Sequence, residues 1–194
     1  MACLKKKIIL IGGGGHCRSV IDVIEQEGRF TIAGIIEKYA GESEAVLGYK
    51  LIGTDDELEK LRKQYEYAFI TIGHIKSNSV RVKLFHRLKA LGFKIPTIIS
   101  PLAYVSKHAT VAKGSIVMHH ALINASASVG ENCIINSKVL IEHDAVIENN
   151  CHISTGAIVN GGSIVKADSF YGSNSTCKEV SQVEGFIKAG SVVK

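Results

Sequence analysis

The chain has 194 residues, 46% of them hydrophobic and 21% charged, enough for one large domain or two small ones and too apolar for a disordered polypeptide. Its net charge of +5 comes without a basic cluster interleaved with aromatics, which argues against nucleic-acid binding. A mild positive bias suits small anionic substrates such as phosphates, and equally an ordinary soluble surface. No apolar run approaches the roughly 18 residues of a membrane span, so no membrane insertion is expected. The start, Met-Ala-Cys-Leu-Lys-Lys-Lys before Ile8-Ile9-Leu10-Ile11, has too short an apolar run for a signal peptide, which predicts a cytoplasmic protein.

Lys7–Ile11 reads as a short buried strand. Gly12-Gly13-Gly14-Gly15-His16 follows as a turn, then a helix through Ser19–Glu25. Thr31–Glu37 is a second strand, ending in a carboxylate. Asp55-Asp56-Glu57-Leu58 opens a second helix with acids at its positive end. Tyr67–Ile72 is a third strand running into Gly73-His74. A third helix follows, capped by Asn78, with Val80, Leu84, Leu88 and Leu91 on its apolar side and Gly92 as its stop. Alternating strands and helices predict a small parallel sheet over residues 1–95.

Ligands of such sheets bind at the carboxyl ends of the strands: here Gly12–His16, Glu37–Lys38 and Gly73–His74. Glycines let backbone N–H groups approach a phosphate at a helix N-terminus, and Glu37 is placed to accept from a ribose or uracil. The dinucleotide fingerprint is incomplete. Gly12 and Gly14 fit it, but Cys17 stands where the third glycine belongs. An NAD-type site and a plain βα turn therefore both stay open at this stage.

From Ile99 to Val165 every sixth residue is Val or Ile: Ile99, Val105, Val111, Val117, Ile123, Val129, Ile135, Ile141, Ile147, Ile153, Val159 and Val165. The residue two places earlier, from Ala103 on, is small throughout except at Val139. This period marks the hexapeptide repeat, in which three short strands and their corners make one coil of eighteen residues. An amphipathic helix would repeat at about 3.6, and a simple antiparallel sheet would need turn residues about every eight to twelve. The register continues through Tyr171, Cys177 and Val183, then slips by two residues to Ile187 and Val193, which predicts a shortened corner at Glu184–Gly185. Residues 96–194 thus form a parallel β-helix whose flat faces and strand edges call for a partner.

Of the cysteines, Cys3, Cys17, Cys133, Cys151 and Cys177, none forms a CxxC pair and no metal site is expected. Cys133 and Cys151 fall at small positions of the repeat and read as reduced core residues. Stacking at eighteen places Ala125 and Gly161 on either side of His143, and Ser126 and Gly162 on either side of Asp144. A histidine among such small neighbours, next to a carboxylate that raises its basicity, is a candidate general base; a solvated corner histidine is the alternative. Glu142 stacks between Asn124 and Asn160 as a polar ladder. His152 points outward between Ile134 and Phe170, toward either a subunit interface or a cofactor. His119-His120 occupies the same corner phase without a carboxylate and reads as a surface pair.

The sequence resembles the bacterial sugar acetyltransferases of the NeuD and PglD type over nearly its whole length. The resemblance rests on Ile-Gly-Gly-Gly-Gly-His at 11–16, Ile-Thr-Ile-Gly at 70–73, Glu-His-Asp at 142–144 and Asn-Cys-His-Ile-Ser-Thr-Gly-Ala at 150–157. It implies an α/β domain with a small Rossmann-like sheet followed by an all-β left-handed parallel β-helix, assembled as a homotrimer. It implies acetyl-CoA as co-substrate, with no metal, and a sugar acceptor, often nucleotide-linked, in cell-surface glycan synthesis. His143 becomes the base and Asp144 the acid that tunes it. His152, Gly161, Ser173, Ala189 and Gly190 become contacts to acetyl-CoA, and Gly14, Gly15, His16, Glu37 and Gly73 contacts to the acceptor.

The chain departs from that family at Glu37-Lys38, where a pair of acids is usual, and at His74, usually Asn or Asp, with Ile75-Lys76-Ser77 added after it. It stops at Lys194 without a Pro-Ala-Lys-like tail, so an altered cofactor affinity is expected. The reading is an acetyltransferase acting on a sugar amine or hydroxyl. A sialic acid O-acetyltransferase is the near alternative, and a non-catalytic assembly or regulatory protein of the same fold, or a dehydrogenase-like domain on a scaffold, the distant ones.

Overall fold

The computed structural model describes residues 5–38 and 45–194, so Cys3 lies outside it. Contacts divide the chain into two units, one of residues up to Gly73 with Ser79–Pro96, the other of His74–Asn78 with Thr97–Lys194.

In the first unit β1 (Lys6–Ile11), β2 (Phe30–Glu37), β3 (Ala45–Val46), β4 (Tyr49–Thr54) and β5 (Tyr67–Ile70) form one sheet in the order β3-β4-β2-β1-β5. β4, β2, β1 and β5 run parallel, and β3 pairs antiparallel to β4. Ile8, Ile9, Leu10 and Ile11 are fully buried, as the apolar run requires of a strand covered on both sides. Among the described residues three α-helices accompany the sheet: α1 (Gly15–Glu27), α2 (Leu58–Arg62) and α3 (Ser79–Ala90).

Several expectations need correction here. The third strand ends at Ile70 rather than Ile72. Thr71 leaves the strand but donates its N–H, and its hydroxyl, to the Ile11 carbonyl. The second helix begins as a 3-10 turn over Asp55–Glu57, with the Glu57 carboxylate accepting the Thr54 N–H, and becomes α-helical only at Leu58. The β3–β4 hairpin was not expected at all. It turns on Leu47 and Gly48, both at positive φ, the geometry of a tight two-residue turn. On α3 the inward face is Arg81, Leu84, Phe85 and Leu88, while Val80 is exposed. The displacing residue is Arg81, which donates from Nη1 to the carbonyls of Ile70 (2.9 Å), the last residue of β5, and Ile72 (2.8 Å), just past it.

The second unit is the coil. Seventeen two-residue strands from Ile98–Ile99 to Val192–Val193 form three parallel sheets. The first contains Ile116–Val117, Ile134–Ile135, His152–Ile153 and Phe170–Tyr171; the second Leu122–Ile123, Leu140–Ile141 and Ile158–Val159; the third Ser128–Val129, Val146–Ile147 and Ile164–Val165. Each strand pairs with the one eighteen residues on, as Leu122 does with Leu140 and Leu140 with Ile158. The aliphatic positions and the small ones between them make the core, with Val117 to Val183 buried and both ends half-covered. Tyr171 fits inside because its hydroxyl donates to the Ile158 carbonyl. Past Val183 the spacing drops to sixteen, Tyr171 pairing with Ile187 and Cys177 with Val193. The two-residue corner Glu184–Gly185 causes this slip. The small positions also hold Cys133 and Cys151, which are buried, form no disulfide, and donate to the Glu148 and Lys166 carbonyls. The hydrogen-bonded Cys133 thiol beside it, and then burial, push the Cys151 pKa up, which keeps it inert.

Candidate functional site

The corners explain how a side chain is presented. From Gly114 to Val180 every sixth residue has positive φ, including Ser126, Asn132, Asp144 and Gly162. This left-handed step turns the chain from one sheet to the next, and Asp, Asn and Gly tolerate it best. At Asp144 it swings the carboxylate back toward its own neighbour: Asp144 Oδ2 lies 2.8 Å from His143 Nδ1. A flat strand would have sent the two side chains to opposite faces.

Asp144 raises the His143 pKa above the ordinary histidine value, chiefly through this hydrogen bond, with Glu142 adding a smaller attraction. With Nδ1–H donating to the carboxylate, the neutral ring keeps its lone pair at Nε2. Nε2 lies over Gly161: a Cβ there would sit 2.9 Å from both Nε2 and Cε1. Only glycine leaves the ring that place. The ladder runs through the same corner, Asp144 N–H to the Ala125 carbonyl and Gly162 N–H to that of His143. Asn124 donates to Glu142 (2.8 Å), but Asn160 turns away to the Cys177 carbonyl, so the polar ladder has two members rather than three.

His152 leaves the prism outward yet is only 7% exposed. Its Nδ1 lies 2.7 Å from the His74 carbonyl and therefore carries the proton, while Nε2 lies 3.3 Å from Asn136 Nδ2. Its ring meets His74 and Phe170 edge-on. The segment His74–Asn78 is further held by Asn78, which donates to Asp168 at 2.7 Å. The added residues thus line a cavity of about 240 Å³ with Phe170 and Phe186, whose rings stack 5.2 Å apart.

The remaining residues expected at the cofactor lie on another edge. His143, Asp144 and Gly161 stand at the corner between the second and third sheets; Ser173, Ala189 and Gly190 stand between the first and second. There Ser154 and Ser173 hydroxyls meet at 2.9 Å and the Gly190 N–H donates to the Ser173 carbonyl. Asn136, which faces Nε2 of His152, belongs to this same edge. Within one chain the two groups flank the second sheet and do not meet. His119 holds Ser100 at 2.6 Å, and among the described residues no cluster of three or more His, Cys, Asp or Glu is suited to a metal.

In the first unit the strand ends gather as expected. Gly14 and Gly15 are open, with nothing near the place of a side chain, at the start of α1. Glu37 accepts the Gly13 N–H, a contact that a side chain at position 13 would block. Gly73 packs on His16, where a Cβ would lie 3.4 Å from that of His16. What the sequence did not indicate is a cavity of about 430 Å³ lined by Lys38, Asp55, Asp56, Lys83, Leu84 and Arg87. Burial raises the Asp55 pKa, against the pull of Arg87 and Lys38. Lys83 and Arg87 lie one turn apart on α3, a spacing that ordinary solvated helices also show.

The family described as PglD N-terminal domain matches residues 7–88. No curated protein matches the sequence. Among solved structures, the acetyltransferase domain of PglB from Neisseria gonorrhoeae FA1090 is 28% identical, covering 98% of this chain and 92% of that one, with a TM-score of 0.88. The same domain in complex with acetyl coenzyme A is 27% identical over 97% and 93%, with a TM-score of 0.87. PerB from Caulobacter crescentus, in complex with CoA and GDP-perosamine, is 25% identical over 96% and 94%, with a TM-score of 0.77.

Proposed function

The chain belongs to the NeuD/PglD-type family of bacterial sugar acetyltransferases, and from that premise we propose that it moves an acetyl group from acetyl-CoA to a sugar amine or hydroxyl. A nucleotide-linked amino sugar is the acceptor class we assign, in cytoplasmic synthesis of a cell-surface glycan. The observation that carries the reading is the His143–Asp144 pair, oriented at 2.8 Å on an exposed corner with Nε2 over the Gly161 backbone.

In the proposed mechanism His143 Nε2 takes a proton from the acceptor nitrogen as that nitrogen attacks the thioester carbonyl. The tetrahedral oxyanion is assigned to the backbone N–H of Gly161, the residue beneath the ring. Collapse breaks the C–S bond, and the proton on Nε2 passes to the departing thiolate. No acyl-enzyme is needed, and the buried cysteines are unsuited to forming one. Gly14, Gly15, His16, Glu37 and Gly73 are assigned to the acceptor, with the charged cavity at Lys38 and Arg87 beside them for its nucleotide. His152, Ser173, Ala189 and Gly190, with Gly161, are assigned to acetyl-CoA.

The His143 corner and the Ser173 edge flank the second sheet, and a second copy would bring them together. The second sheet between them presents Tyr104, Leu122, Leu140, Ile158 and Val192 outward, with Tyr104 60% and Val192 66% exposed. An apolar face of that size marks an interface. We propose a homotrimer in which the His143 edge of one chain faces the Ser173 edge of the next, with acetyl-CoA in the seam. The test is mass-shift screening of UDP- and GDP-linked amino sugars with acetyl-CoA, wild type against His143→Ala. Acetylated product from the wild type and a fall of at least about a hundredfold in the variant is the expected result; equal turnover would remove His143 from the mechanism.

A further inference from the structure

The edge that carries His143 continues past Gly161–Gly162 to the next corner, Glu179–Val180. Val180 N–H donates to the Gly161 carbonyl at 2.9 Å, and the Val180 Cγ2 methyl lies 3.4 Å from where a Cβ on Gly162 would be. Two features set this residue apart. Its φ is 54°, a conformation in which a β-branched side chain is a genuine outlier. Every other positive-φ corner from Gly114 to Asn174 uses Gly, Asn, Asp, Ser, His or Lys. Val180 is also 80% exposed, more than any other large apolar side chain among the described residues. A strained backbone and an isopropyl group in water are both unfavourable, and Asn or Gly would remove both. An apolar contact in the working protein would offset them.

We infer that Val180 is a donor-binding residue whose isopropyl group packs against the pantetheine arm of the acyl-CoA. The inference rests on the proposed reading that His143 acts on a CoA thioester. The direction follows from the coil. Successive coils are about 4.8 Å apart, so Val180 stands about 10 Å along the edge from the His143 corner. The glycine pair between them adds no side chain of its own, and the His143 ring and the Val180 methyl group border the channel it leaves. A thioester at His143 sends its arm along that channel, and the arm is apolar where the paired methyl groups of its pantoate part lie. A sugar acceptor carries hydroxyls and offers far less to an isopropyl group.

The test compares Val180→Gly and Val180→Asn with the wild type, both of which fit a positive φ. Calorimetry with CoA, and initial rates with acetyl-CoA and with S-acetyl-N-acetylcysteamine, which has the thioester but lacks the pantoate arm, are measured. The expected result is a CoA dissociation constant and acetyl-CoA KM raised about three- to tenfold, an unchanged KM for the short thioester, and a thermal midpoint no lower than wild type. Equal binding of CoA by wild type and variants overturns the inference alone. So does an equal loss with both donors, a rise confined to the acceptor KM, or a shift to smaller assemblies on sedimentation, which would make Val180 a subunit contact. Failure of the wild type itself to bind CoA would overturn the proposed function and this inference together.

Discussion

His143 owes its chemistry to one neighbour. The Asp144 hydrogen bond favours the protonated ring, so in its proposed role as base His143 would act only above a pKa raised from the ordinary histidine value. The rate of acetyl transfer should therefore rise with pH through that raised value. In Asp144→Asn the support is lost, and the acid limb of the kcat/KM profile should move to lower pH while the plateau falls; a limb that stays in place would mean the carboxylate does not act on the base. Gly161→Ala puts a methyl group 2.9 Å from the ring, so kcat should fall at least about tenfold with little loss of folding stability by urea titration. Of these residues, His143, Asp144 and Gly161 were legible from the sequence, because a corner joins neighbours and the coil joins residues eighteen apart. The His74 carbonyl on His152 joins residues 78 apart through no repeat, and nothing in the pattern announces it.

Among the elements the same division holds. The coil strands follow from a period that leaves the core no other arrangement, and even the two-residue corner at Glu184–Gly185 is visible as a slip in that period. The first unit has no repeat. The β3–β4 hairpin carries too few residues to show alternation, and α3 turned on a single buried polar side chain that a hydrophobic pattern reads as solvent-facing. Arg81 is 1% exposed and satisfies two carbonyls at and just past the end of β5. Arg81→Met should cost about 2–4 kcal/mol in urea unfolding, because those carbonyls lose their donor in a buried place. A variant as stable as the wild type would mean that water reaches them.

For the molecule as a whole, the proposed trimer rests on the apolar second sheet. Leu140→Glu with Ile158→Glu places charge in the middle of it, and should give a folded, smaller species by sedimentation equilibrium that no longer binds CoA. Retained assembly with these charges would assign the interface to another face. The acceptor is the part of the function that the fold leaves most to individual residues. Lys38, Lys83 and Arg87 line their cavity by packing of α3, and such packing is set by neighbours distant in sequence.

The constant pairing distance of the coil also governs how it forms. Each new strand closes a loop of eighteen residues, or sixteen at the end, so every coil is added at the same entropic cost as the last. Assembly is then a zipper whose length does not slow its individual steps, and opening proceeds from the tips. Hydrogen exchange should report it directly. Amides from Ile134 to Val159, with paired strands on both sides, should be the slowest, and those of Val192–Val193, paired on one side only, the first to exchange.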